Sequence, residues 1–294
     1  MTGKVVVITG ATSGIGSVAT EKLAGMGARL VVVARDPARG AAALDRLKSI
    51  NSAVKHTIHY ADLSRLGEMR RVAAEVAAAE PRIDVLINNA GALFGRRHLT
   101  EDGLELTFAT NHLAYFVVTL GLLDRLRASA PARIINTSSD AHTKGALDFD
   151  DLQSVKAYRA SLGRTIWIGG PGMKVYSLSK LLNILFTREL ARRLEGTGVT
   201  ANCFHPGFVD TRFGDESGGF ISYGVRAAKL LAISPEKGAE TLVYLASSPE
   251  VADVTGQYFY KCRPATPTRQ AQDDAAAHRL WQETAKIAGL PDTL

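Results

Sequence analysis

Thr9-Gly10-Ala11-Thr12-Ser13-Gly14-Ile15-Gly16 follows the short apolar run Val5-Val6-Val7-Ile8 and leads into a helical pattern through Val18, Leu23 and Ala24. A β-branched run over 4–9, flanked by Gly3 and Gly10, reads as a strand buried on both faces. Glycines at a strand-to-helix junction let the chain turn sharply and bring its backbone close to a bulky anion. The free N–H groups of the following helix then face that anion, an arrangement suited to a pyrophosphate. A glycine trio alone would say little. Strand before and helix after is the context that a dinucleotide-binding loop requires.

The chain beyond repeats this alternation. A second strand over 29–34 ends at Arg35, where a carboxylate would hold ribose hydroxyls in a dinucleotide fold. Arg35 stands there instead, with Asp36 next and Arg39 close behind. A guanidinium suits a 2′-phosphate, so the position favours NADP(H), while Asp36 keeps NAD(H) open. A strand over 56–60 precedes Asp62-Leu63 and a helix over 64–79. The strand over 83–88 closes in Asn88-Asn89-Ala90-Gly91, small enough for a flat ring to approach and polar enough to pin neighbouring loops. A helical pattern over 101–126 carries Asn111, whose interior position suggests a polar task or a local bend. His112 beside it reads as packing or solvent-facing rather than catalytic. A strand over 133–137 ends in Ser138-Ser139, at the strand end where such sheets bind ligands, so a hydroxyl there suits a substrate oxygen. A strand over 199–204 runs into His205-Pro206-Gly207-Phe208-Val209-Asp210-Thr211, then come a helix over 238–247, a last strand over 256–260 and a polar terminal helix over 268–288.

This order predicts one α/β domain over 1–294, a doubly wound parallel sheet of the Rossmann type. Loop regions over 140–174 and 208–233 flank the crevice, and 264–294 forms a helical tail.

Tyr176-Ser177-Leu178-Ser179-Lys180 heads an apolar-periodic run reaching Leu194, with Pro171-Gly172 expected to break any helix before it. Residues four apart share a helix face, so Tyr176 and Lys180 project together. A phenol titrates near ~10, and an ammonium within ~4–6 Å favours its anion. Such a phenol can exchange a proton with a carbinol or carbonyl oxygen near neutrality.

The totals narrow the field. Thirty-five basic against 29 acidic residues give +6, spread along the chain, which reads as a solvated surface and not a nucleic-acid face. Cys203 and Cys262 are too few for a disulfide framework, and no Cys/His group has zinc spacing. With four residues before Val5 no signal peptide is expected, and no run reaches the roughly 18 apolar residues of a membrane span. A reducing, cytoplasmic setting is the expectation.

These residues closely resemble the short-chain dehydrogenase/reductase family over nearly the whole chain. The pattern TGxxxGxG is met at Thr9, Gly10, Gly14 and Gly16, NNAG at Asn88 to Gly91, and YxxxK at Tyr176 and Lys180. Asn111, Ser139 and Pro206-Gly207 fall in the expected order between and after them. The runs Asp148-Phe149-Asp150-Asp151-Leu152 and Leu181-Leu182-Asn183-Ile184-Leu185-Phe186-Thr187-Arg188-Glu189-Leu190 resemble the retinol dehydrogenase-like group, which usually takes NADP(H). The resemblance implies that Tyr176 is the acid/base and that Lys180 holds the nicotinamide ribose and lowers the phenol's pKa. It implies that Ser139, not Ser138, positions the substrate oxygen, and that Asn111 supports a relay water. It also carries cofactor contacts to Gly10, Thr12, Ser13, Gly14, Ile15, Gly16, Arg35, Arg39, Asp62, Leu63, Asn89, Ala90, Gly91, Tyr176, Lys180, Pro206, Gly207, Val209 and Thr211. Two departures stand out: the chain is expected to lack the anchoring segment of vertebrate retinol dehydrogenases, and the stretch from Ser139 to Tyr176 is longer than the family norm.

The flanking loops carry Phe149, Tyr158 and Trp167, and Phe213, Phe220 and Tyr223, with Gly169-Gly170 and Gly218-Gly219 as hinges. Each aromatic alone reads as local core. Together they suggest a closable apolar pocket for a small apolar alcohol or carbonyl compound. The expected activity is therefore hydride transfer between a nicotinamide and that substrate. The alternatives are an NADPH-binding sensor or scaffold without turnover, or an isomerase or dehydratase using the same Tyr and Lys. A homo-oligomer is compatible with all three.

Overall fold

Each strand of the dinucleotide half is apolar on both sides because each side meets its own core. Along β1 (Val5–Thr9), Val7 points into one cluster while Val6 and Ile8 point into the other, the period-two alternation of a strand. The computed structural model describes residues 1–159, 170–207 and 233–294. Their strands form one sheet in the order β3-β2-β1-β4-β5-β6-β7-β8. The others are β2 (Arg29–Ala34), β3 (Thr57–Tyr60), β4 (Val85–Asn88), β5 (Ala132–Thr137), β6 (Val199–Phe204), β7 (Tyr258–Tyr260) and β8 (Arg263–Pro264). Pairing is parallel from β3 through β7. Only β8 runs antiparallel, an exposed two-residue edge strand that the sequence pattern did not signal. The strand order reverses between β1 and β4, the point beyond whose carboxyl ends such sheets bind their ligands.

Helices α1 (Gly14–Gly25), α2 (Pro37–Ile50) and α7 (Pro235–Ser247) cover one face, and α3 (Leu66–Ala79), α4 (Leu106–Ala128), α6 (Gly170–Arg193) and α8 (Asp274–Ala288) the other. Val155–Arg159 forms the short α5. By length and composition α4 could cross a membrane, with 23 residues and a mean hydropathy of 1.4, which the sequence reading did not anticipate. Buried over 78% of that apolar window, it serves as a core helix here.

Three departures from expectation have a clear physical reason. Helix α6 as described runs from Gly170, so it includes Pro171 and Gly172 rather than beginning at Tyr176. A proline near a helix start loses no hydrogen bond, and any helix immediately before it would lie outside the described residues. Helix α4 starts at Leu106 because the Glu105 carboxylate caps it, accepting the Phe108 N–H at 2.7 Å. The C-terminal helix is no polar tail. Asp273 caps α8 and Gly289 ends it in the left-handed region at φ +58. Its buried stripe, with Ala277, Leu280, Trp281, Thr284, Ala285 and Ala288, carries the Trp281 ring to 4.8 Å from Phe116 and 5.9 Å from Phe186. That stripe has helical spacing, but the polar residues between its members led to the reading of a polar helix.

Candidate active site

Backbone crowding shapes the glycine loop. Gly10 adopts φ +71, and a Cβ there would sit 2.7 Å from the Ala90 Cα; a Cβ on Gly16 would press into the Gly10 carbonyl. Side chains tie the same contact. Thr9 Oγ1 accepts the N–H groups of Asn89 and Ala90 at 3.0 and 3.1 Å. Asn89 Nδ2 donates to the Gly10 carbonyl at 2.9 Å, and the Thr137 hydroxyl donates to Asn89 Oδ1 at 3.2 Å. One amide thus joins the ends of β1, β4 and β5. Beneath it, Asn88 Nδ2 donates to Thr119 Oγ1 and Asn136 Oδ1, both at 2.9 Å.

Helix α1 begins right after this loop. Its N-cap, Ser13, makes no side-chain capping bond, and its first turn holds no acidic residue. The positive end of the helix therefore faces the crevice, flanked by Thr12 and by glycines that leave room for backbone approach. These residues fit a dinucleotide pyrophosphate.

At the far end of the groove Asp36 accepts the Arg39 N–H at 2.8 Å and caps α2. Asp62 accepts the Ser64 N–H at 3.0 Å, with Leu63 buried beside it. Both carboxylates thus have a structural use, while Arg35 and Arg39 are exposed at the end of β2.

Asn111 lies in a π-helical turn, Ala109–Leu113, inside α4. Both readings of an interior Asn apply, a bend and a polar task. Its side chain accepts the Ala92 N–H at 2.9 Å and donates to the Ala92 carbonyl at 2.9 Å and to Ser179 Oγ at 3.1 Å. Its own carbonyl accepts Asn183 Nδ2 at 2.9 Å. A Cβ on Gly91 would meet Asn111 Oδ1 at 3.3 Å and Lys180 Nζ at 3.4 Å, so the lysine amine passes close above this glycine.

The two serines after β5 have separate uses. Ser138, 1% exposed, donates to the Lys180 carbonyl at 2.8 Å. Ser139 accepts the Ala141 N–H at 3.1 Å and bonds the Tyr176 phenol. Lys180 Nζ donates to the Thr137 carbonyl at 3.1 Å and lies 5.5 Å from the centre of the Tyr176 ring. Burial raises the phenol's pKa, with the Ser139 bond acting against it, and burial pushes Lys180 down to about 7. The expected picture of a fixed ammonium depressing the phenol is thus corrected. In the protein alone, burial drives both groups toward neutrality.

Gly207 follows β6 at φ +90, and its N–H donates to His205 Nδ1 at 3.2 Å. His205 stacks on Tyr260 with centroids 4.0 Å apart, and Pro206 joins it to Gly207 in the chain. Val209 and Thr211 lie outside the described residues, as do Trp167, Phe213, Phe220, Tyr223, Gly169 and Gly218-Gly219. Of the described loop aromatics, Phe149 packs on the core under Arg279, and Tyr158 donates to Glu105 at 3.4 Å. Both serve packing. His112, read as packing or solvent-facing, is fully buried, which excludes the solvent-facing alternative. Asn183 went unassigned in the sequence. A buried amide one turn after Lys180 on a leucine-rich helix was the signal that marked it.

Comparison with known proteins gives the family and the fold. Residues 4–161 match the family described as short chain dehydrogenase, and residues 166–261 the one described as enoyl-(acyl carrier protein) reductase. Human retinol dehydrogenase 13 is 40% identical over 98% of this chain and 85% of its own length. Human retinol dehydrogenase 14 is 39% identical over 99% and 88%. Among solved structures, an uncharacterised protein from Mycobacterium paratuberculosis aligns with a TM-score of 0.75 and 30% identity, over 100% of this chain and 96% of that one. A short chain dehydrogenase from Burkholderia cenocepacia in complex with NADP aligns with a TM-score of 0.67 and 25% identity, over 88% and 96%.

Proposed function

The chain belongs to the short-chain dehydrogenase/reductase family, in its retinol dehydrogenase-like group, and from that premise we propose an NADP(H)-preferring enzyme for an apolar alcohol/carbonyl pair. The class itself is an NAD(P)-dependent oxidoreductase acting on CH–OH donors. The observation that carries the reading is the meeting of Ser139, Tyr176 and Lys180 at the open end of the sheet, next to the crowded glycine loop.

The nicotinamide, when bound, supplies or accepts the hydride. The protein supplies position and a proton. Ser139 Oγ and the Tyr176 hydroxyl are bonded to each other in the protein alone, and a substrate oxygen that replaces this mutual bond can accept from both. For carbonyl reduction Tyr176 gives its proton to the developing alkoxide; for alcohol oxidation the phenolate takes it back. Lys180, anchored on the Thr137 carbonyl, has further N–H donors for a ribose hydroxyl and stabilises the phenolate whenever it is protonated.

The preference for NADP(H) rests on Arg35 and Arg39 beside an Asp36 engaged in capping. Apolar substrates are favoured by the names of the relatives and by the aromatic content of the two loop regions. Two free cysteines fit a reducing compartment. A panel of apolar and polar aldehydes and ketones, followed by NADPH and NADH oxidation, tests the proposal. Specificity constants that rise with apolar size and favour NADPH support it. A maximum at small charged substrates, or faster turnover with NADH, refutes the corresponding half.

A further inference from the structure

Four motif residues do not complete the hydrogen-bond chain at Lys180. The Thr137 carbonyl accepts two donors, Lys180 Nζ at 3.1 Å and Asn183 Nδ2 at 3.2 Å. The second hydrogen of the Asn183 amide goes to the Asn111 carbonyl at 2.9 Å. Reversing this amide would set its oxygen against two carbonyls, so its orientation is forced. Asn183 Oδ1 can therefore only accept, and its partner at 3.3 Å is His112 Nδ1. His112 must carry its proton on Nδ1, which leaves Nε2 to accept from the Thr284 hydroxyl at 3.1 Å. Every direction in the chain follows from its neighbours.

The whole path is dry. Asn111, His112, Asn183 and Thr284 are all fully buried. The rings of Phe108 and Phe186 lie 5.4 and 6.1 Å from the imidazole. Burial pushes His112 down to about 4, so it stays neutral and its tautomer stays fixed near neutral pH. The π-helical turn places Asn111 and His112 together on α4, Asn183 comes from α6, and Thr284 comes from α8, otherwise an external brace.

We propose that the Asn183–His112–Thr284 chain is a positioning device for the active site, by which α8 holds the Thr137 carbonyl in place as the anchor of Lys180. It rests on the oxidoreductase reading for its effect on turnover, but not for its effect on the lysine. Asn183, His112 and Thr284 touch no reacting atom and act through that carbonyl. If the imidazole loses its Thr284 partner, it is free to tilt, the amide loosens, and Lys180 loses the acceptor that favours its charged form. The titratable side chains facing Lys180 Nζ are Tyr176 on its own helix and Tyr115 on α4, with ring centres at 5.5 and 5.8 Å. Neither carries a charge near neutral pH, since burial raises both phenols.

The test uses the intact protein with Thr284→Val, which keeps the shape and removes the hydroxyl, and Thr284→Ser, which restores it. Lysine labelled with 13C at Cε reports the Lys180 titration midpoint by NMR in the protein alone. Lys180→Met identifies the resonance. Thr284→Val should lower that midpoint and reduce kcat by ~3–10-fold with little change in NADPH affinity, and Thr284→Ser should return both toward wild type. Asn183→Ala should have the larger effect; if it does not fold, the two Thr284 variants carry the test alone. A Thr284→Val protein with a lower Tm but an unshifted Lys180 midpoint and wild-type kcat would show a purely structural tie and overturn the proposal. If wild-type protein turns over no carbonyl substrate, the functional reading falls, while the NMR midpoints still decide on the positioning chain.

Discussion

The two ends of the cofactor groove are built by different means. At the nicotinamide end, backbone meets backbone: Gly10 against Ala90, Gly16 against Gly10, and Gly91 beneath Lys180. Buried amides then lock the strands together, and almost any change there has to displace main chain. At the adenosine end the determinants are exposed side chains, Arg35 and Arg39, around a capped helix start. Chemistry needs fixed geometry within fractions of an ångström, whereas recognition of a phosphate tolerates flexible cations. Substitutions at the first end should therefore act on turnover and folding, and those at the second on choice of cofactor.

The contrast is sharpest at Tyr176. Tyr176→Phe keeps the ring and removes only the transferable proton, so kcat should fall by ~10²-fold or more while NADPH still binds. Steady-state rates paired with a fluorescence titration of NADPH measure both. Near-normal turnover would rule out the acid/base assignment.

Lys180→Met should lower kcat by ~10-fold or more and also weaken NADPH, because one amine serves both phenol and ribose. Its stability should move the other way. Lys180 titrates at about 7 in the fold and near ~10.4 unfolded, so between those values the unfolded chain holds the extra proton and stability rises with pH. The Tm of the cofactor-free protein should thus climb from pH 7 to ~9 more steeply in wild type than in Lys180→Met. Equal slopes would mean that the amine is not held in a dry site.

Effects at the adenosine end should be smaller. Arg35→Ala should narrow the NADPH-over-NADH gap by roughly 1–3 kcal/mol, the scale of a charge-assisted contact, with kcat at saturation little changed. Binding titrations with both cofactors check it, and tighter binding of NADH by wild type would move attention to Asp36. Asp36→Ala should be the mildest, costing ~0.5–2 kcal/mol of stability as a lost cap without reversing cofactor preference, as urea unfolding can show.

What could be read in advance follows the same division. The loops at 9–16 and 88–91 were legible because a tight backbone contact leaves few residue types that fit, and Tyr176 and Lys180 because helical spacing alone puts them on one face. The strand limits of β2 and β6 came out as expected, since buried β-branched runs have abrupt ends. The role of α8 did not, because Trp281 acquires meaning only against Phe116 and Phe186, which the chain brings to it from elsewhere. Burial likewise was not legible at Lys180. A sequence shows an amine near a phenol but not the dry pocket that takes its charge away.

The central claim is that this crevice passes a hydride between a nicotinamide and a carbon bearing oxygen, with Tyr176 handling the proton. NADPH deuterated at the transferable C4 position, incubated with protein and an apolar aldehyde, tests it directly by mass spectrometry of the product. The account predicts one deuterium on the carbinol carbon per NADPH oxidised in wild type, and almost none over the same time in Tyr176→Phe. Product formed without deuterium, or without consumption of NADPH, would contradict it and point to an isomerase or dehydratase. Tight NADPH binding with no product from any carbonyl substrate would point to a sensor or scaffold.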